Sequence, residues 1–169
     1  MARYPVCCVA EVSLAGLDRL LNEALAGSEE LVPNSEHELS IVVEENDGSS
    51  KLPGEATVPP LGSTFKPFVA ASVDDAARHI GDACYFAVLD QECTNNDTAT
   101  LVHHQEDGSN TTVRVTLKSV QHVLVSLSVA SLGFQEIQRI ANSQGGVYGI
   151  NERGLNKGRP APPMKLGRA

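Results

Sequence analysis

At 169 residues, 41% hydrophobic and 20% charged, the chain has the composition of one folded domain, and wholly disordered behaviour is excluded. With no Trp, three Tyr and four Phe, it is poor material for an aromatic cage or a base-stacking platform. Its net charge of −8 is unevenly spread. Residues 1–62 carry three basic against eleven acidic side chains, and residues 63–150 carry five against nine. Residues 151–169 carry Arg153, Lys157, Arg159, Lys165 and Arg168 against Glu152 alone. An acidic body followed by a basic Gly/Pro-rich tail results. Such a body repels nucleic acid and anionic lipid. No apolar run approaches the roughly 18 residues that a membrane span needs.

In chain order, residues 4–12 form an apolar run that predicts a buried strand. Ser13 is a good N-cap, and Leu14, Leu17, Leu20, Leu21, Ala24 and Leu25 recur at helical spacing. Gly27 sits where a terminating glycine belongs. Residues 38–45 alternate Leu39, Ile41 and Val43 with polar neighbours, as in a half-buried strand broken at Val42. Residues 1–45 therefore predict a strand–helix–strand unit, either a separate lobe or part of a larger sheet. Residues 46–67 are rich in Pro and Gly and predict a linker or long loop. Residues 68–150 form the main α/β domain. In it, Ser72 and Asp75 predict the capping box of a short helix bearing Val73, Ala76, Ala77 and Ile80. Residues 84–90 predict a central strand covered on both faces. Residues 98–105 and 111–117 flank Glu106–Asn110 as a β-hairpin. Residues 119–130 fit both periods, and their length and Ser119 favour a helix. Leu132, Phe134, Ile137, Ile140 and Ala141 predict another, stopped at Gly145-Gly146. The expected fold is mixed α/β (α+β): a central sheet of five to six strands with helices packed against it, plus the extended basic tail.

The four cysteines include adjacent Cys7 and Cys8, which point to opposite sides of a strand and rarely bond each other. Cys84 and Cys93 complete the set without zinc-finger spacing. Buried small hydrophobes in a reducing compartment are the plainer reading, with a functional thiol at Cys84 or Cys93 as the sharper one. The short run Val6–Ala10, followed by Glu11, is no signal-peptide core, so a cytoplasmic location is expected.

The run Leu127-Ser128-Val129-Ala130-Ser131-Leu132-Gly133-Phe134-Gln135-Glu136-Ile137, followed by Gly146-Val147-Tyr148, resembles a known pattern. A family of small uncharacterised bacterial and fungal proteins carries Leu-Ser-Ile-Ala-Asn-Met-Asp-Phe-Glu-Glu-Phe and then Gly-Val-Phe. The resemblance extends over about residues 64–150, where a short Asp-Asp helix, an apolar strand ending in Asp90 and a hairpin follow in similar order. The chain departs from the pattern at Ser131, Gly133 and Ile137. The resemblance implies a fold and carries no activity with it.

No phosphate-binding glycine loop, nucleophile elbow or zinc-protease motif is present. The candidate catalytic residues are Asp90 at a strand end, His103 and His104 late in the hairpin, and His122 on the next element. Together they could form an acid/base pair tuned near neutrality. Adjacent strand residues face opposite ways, so His103 and His104 cannot both enter one site. Solvated or hydrogen-bonded histidines are the plainer reading. No cofactor and no metal is expected. The sequence points first to a non-enzymatic interaction protein or assembly subunit. In that reading Arg153, Lys157, Arg159, Lys165 and Arg168 bind a protein partner or a second copy. The alternative is a small cofactor-independent enzyme or small-molecule-binding protein with an Asp/His-lined pocket.

Overall fold

A computed structural model describes residues 3–149 of the chain. The predicted basic tail lies outside the described residues. The fold is mixed α/β, built on a six-stranded sheet. Strand β1 (Tyr4–Cys8) leads into helix α1 (Leu14–Leu31) and returns as β2 (Leu39–Ile41). A small ribbon follows, β3 (Val43–Glu44) with β4 (Ser50–Lys51). Next come α2 (Val73–Ala76), extended by a 3-10 turn over Ala77–His79, then β5 (Tyr85–Leu89) and α3 (Gln91–Asn96). The hairpin β6 (Thr98–His104) and β7 (Asn110–Thr116) precedes α4 (Val120–Ser128), α5 (Phe134–Ser143) and β8 (Val147–Tyr148).

The sheet order is β2-β1-β5-β6-β7-β8. Strand β1 runs parallel to both β2 and β5, with Val6 opposite Ala87 and Cys8 opposite Leu89. The first strand–helix–strand unit thus shares one sheet with the hairpin. Strands β5, β6 and β7 form an antiparallel meander, and β8 joins β7 in parallel. Period-two alternation divides the side chains between two cores. Val6, Cys8, Ala87, Leu89, Leu101 and Val115 face α1, α4 and α5. Cys7, Phe86, Val88 and Val102 face the other way, against Ala76, Ala77 and Ile80. Strands β1 and β5 are covered on both faces, which explains their unbroken apolar sequences.

Helix α1 begins where Ser13 predicts, the Ser13 hydroxyl accepting the Gly16 N–H at 3.0 Å. It does not stop at Gly27 but continues to Leu31. Gly27 is a packing glycine: an added Cβ would fall on the Lys118 backbone carbonyl. The segment 38–45 splits after Ile41, because its backbone changes partner there. The Val42 N–H still donates to Val6, while the Val42 carbonyl accepts from Phe68. Residues 46–67 strap the β2 edge. Thr57 N–H donates to Leu39 and its hydroxyl accepts from Ile41, while buried Ser40 donates to the Pro53 and Glu55 carbonyls. A bare edge strand is thereby covered.

Three local expectations are revised. Ser72 caps α2 as expected, its hydroxyl accepting the Asp75 N–H at 3.1 Å, but the Asp75 carboxylate reaches back to Ala71 N–H (2.9 Å), one residue before the cap position a capping box requires. The hairpin turn falls on Gln105–Ser109, because Asn110 already pairs with His104. Residues 120–128 are helical, but Ser119 does not cap them: it is buried and bonded to Thr116 (2.9 Å), within a 3-10 turn. At the end of α5, Gly145 and Gly146 both have positive φ, and Gly146 N–H closes on the Ala141 carbonyl at 2.8 Å. That is a Schellman stop, as two glycines there predict.

Candidate functional site

The four sequence-selected side chains do not assemble into one site. Asp90 follows the last residue of β5, and His103 sits opposite Tyr85, the first. Five residues of extended chain separate those two levels, roughly 16 Å at the usual rise.

Asp90 is occupied structurally. One carboxylate oxygen accepts the N–H groups of Glu92 (3.1 Å) and Cys93 (3.2 Å), which caps α3. The other accepts Nη2 of Arg114 at 2.6 Å. Arg114 also donates to Thr98 Oγ1 (3.0 Å) and lies 3.3 Å from Glu92. Burial alone would raise the Asp90 carboxyl, but the Arg114 bonds and charge, with the hydrogen bonds from Cys93, outweigh it and hold it below the usual range.

His103 faces the helix side, stacked on Tyr85 with ring centroids 4.7 Å apart and tilted against Phe134 at 5.4 Å. His104 faces the other side. Its Nδ1 meets Asn110 Oδ1 at 2.7 Å, and Asn110 in turn donates to Asp74 at 2.6 Å. These are packed and hydrogen-bonded histidines. Among the described residues, no three His, Cys, Asp or Glu side chains are grouped to hold a metal ion. Cys7, Cys8 and Cys93 are buried and Cys84 is exposed, none in a disulfide.

His122 borders an apolar concavity. A cleft of about 210 Å3 lies between the end of α1 and the exposed face of α4. Its walls include Ser28, Leu31, Val32, Glu38, His122 and Val125. Leu31 and Val32 remain 64% and 63% exposed, unusual for large apolar side chains side by side. Just past the end of α4, Val129 is exposed as well. Ser28 is buried, and its hydroxyl has no hydrogen-bond partner among the described residues. Glu38 lines the cleft, and further carboxylates flank Leu31 and Val32 in the chain. Glu29, Glu30 and Glu36 are exposed and Glu38 is half-buried, with Lys118 bonded to Glu30 at 2.8 Å. Burial lowers the His122 pKa below 6.5, opposed by the charge of Glu30. His37 is lowered in the same way, with Glu29 opposing. The cleft therefore presents apolar surface beside His122 and Glu38.

Sequence reading missed this cleft because Gly27 looked like the end of α1. The available signal was Leu31-Val32 set between Glu29-Glu30 and Glu36, an apolar pair inside an acidic stretch. The basic residues Arg153, Lys157, Arg159, Lys165 and Arg168 lie outside the described residues. No helix among the described residues is long and apolar enough to cross a membrane. No family model matches the chain, and neither a curated protein nor a solved structure matches it.

Proposed function

We propose that the protein is a non-enzymatic assembly subunit, joined to a neighbouring protein through Arg153, Lys157, Arg159, Lys165 and Arg168. The observation that carries this reading is the occurrence of that basic segment in a chain with an acidic body, in which the exposed Leu31 and Val32 are flanked by Glu29, Glu30, Glu36 and Glu38. Opposite charge guides encounter and register, and apolar burial supplies affinity. A basic segment without aromatic residues favours a protein acceptor over nucleic acid, since stacking is absent.

The test is native mass by light scattering on a sizing column, for the full chain and for a chain ending at Ile150. A circular dichroism melt confirms that the shorter chain is folded. The full chain is expected to be oligomeric or partner-bound and the shorter one monomeric. Identical masses for the two would overturn the assignment.

A further inference from the structure

The acidic body offers a particular place for such docking, and the path of the chain brings a segment of matching composition near it. Gly149, the last described residue, lies against the Thr116 and Ser119 hydroxyls, where an added Cβ would collide with both. The same turn packs on α1, with the Lys118 backbone against Gly27 and its ammonium on Glu30. His122 follows Ser119 by three residues, about one turn of helix. The chain therefore leaves the described fold beside the head of the α1–α4 cleft, and twenty residues, 150–169, continue from there. Their composition complements the cleft: five basic residues for its carboxylates, and Leu155, Ala161, Pro162, Pro163, Met164 and Leu166 for its apolar floor.

We infer that the α1–α4 cleft, floored by Leu31, Val32 and Val125, is the receptor for residues 150–169 of a second copy of this chain. The inference rests on the assembly reading above and names its acceptor. The donor leaves beside Ser119, and the acceptor cleft is lined by Gln121 and His122 just beyond it in the chain. A single two-fold contact therefore satisfies both copies at once, and the assembly closes as a dimer rather than growing into a fibre. Each bound segment would cover the exposed Leu31 and Val32. Because the rim pairs are exposed, the contact weakens with salt.

Two full-length variants test this. Leu31→Lys with Val32→Lys places like charge in the acceptor while leaving the donor intact; both side chains are exposed, so folding is retained. Arg153→Glu, Lys157→Glu and Arg159→Glu disable the donor and leave the acceptor intact. Each variant alone is expected to dimerise at least tenfold more weakly than the wild type. Mixed together, they should regain a dimer, detected by light scattering and cross-linking, because one live donor meets one live cleft. If the donor variant is monomeric but the cleft variant dimerises like the wild type, the cleft assignment falls and the assembly reading survives. If the mixture forms no dimer at concentrations a hundredfold above the wild-type midpoint, the exchange is overturned. A wild type bound to another protein but not to a second copy overturns the exchange and leaves the assembly reading standing, and a wild type that is monomeric and unbound overturns both. In that case, binding of a synthetic 151–169 peptide to the chain ending at Ile150 would identify the segment's own cleft, and not a second copy, as its site.

Discussion

Asp90 and Arg114 meet at 2.6 Å, and through them the end of β5, the start of α3 and the middle of β7 are tied together. Asp90 serves two structures with one carboxylate, capping α3 with one oxygen and pairing with Arg114 through the other. Both side chains are largely shielded, at 30% and 21% exposure. Asp90→Ala removes a cap of about 1 kcal/mol and a charge-assisted bond of about 1.5–3 kcal/mol. The expected loss is about 2–3 kcal/mol in urea unfolding, these terms not being fully additive. Asp90→Asn should keep most of the cap and lose the ion pair. A double-mutant cycle with Arg114→Met should return a coupling above that of a surface pair. Near-zero coupling would show the pair to be incidental.

Gly27 marks where sequence periodicity was informative and where it was not. The helical spacing of Leu14 to Leu25 is local information, and so is the alternation of Val113, Val115 and Leu117; both elements formed. The role of Gly27 is set by Lys118, far along the chain, so the glycine looked like a stop. Helix α3 was invisible for another reason. Gln91-Glu92-Cys93-Thr94-Asn95-Asn96 has one buried apolar position and no apolar stripe, and its main signature is the cap at Asp90. The proposed Asp/His constellation failed on register. Nothing in the sequence shows that His103 pairs with Tyr85 at the opposite end of β5 from Asp90. Asp90 also carried no sign of Arg114, its principal partner, which lay within an ordinary alternating strand.

Gly27→Ala follows from the same contact. Alanine gains about 1 kcal/mol in helix propensity, which would stabilise an exposed helix. Here the new methyl falls on the Lys118 carbonyl, backbone that cannot rotate away. Overpacking of that kind costs about 1–3 kcal/mol, occasionally more. The net change is expected to be destabilising, with a lower urea midpoint and an unchanged m-value. A variant as stable as the wild type would mean that the 3-10 turn at Leu117–Ser119 shifts freely from α1.

His122 and His37 give a pH dependence in a window that the carboxylates leave clear. Burial lowers both pKa values from 6.5, with Glu30 and Glu29 acting the opposite way. In that range the unfolded chain binds more protons than the folded one, so stability rises with pH. It is fully present above about pH 6.5 and declines as pH falls through the lowered folded values. Asp90, held low by Arg114, loses its contribution only at more acidic pH, below the ordinary 3.8. The urea midpoint should therefore fall between pH 7.5 and 5.5, and His122→Gln should flatten the slope. An unchanged slope in that variant would place the titration at His37.

The cysteines should separate into one fast thiol and three slow ones. Cys84 is exposed at the start of the segment leading into β5, while Cys7, Cys8 and Cys93 are buried. Burial pushes Cys7 up to about 11 and Cys8 to about 12. It also pushes Cys93 up to about 12, with the Asp90 charge adding to it against an opposing backbone bond. The thiolate is the nucleophile, so at pH 8 these three are both shielded and protonated. Ellman's reagent on the native protein should titrate one thiol rapidly, and three more only in denaturant. Cys84→Ser should abolish the fast phase. A second fast thiol that survives in that variant would show that α3 opens to admit reagent to Cys93, because Cys7 and Cys8 lie in the doubly covered β1. Loss of the Arg114 pair, which braces α3 against β7, should then accelerate that second phase.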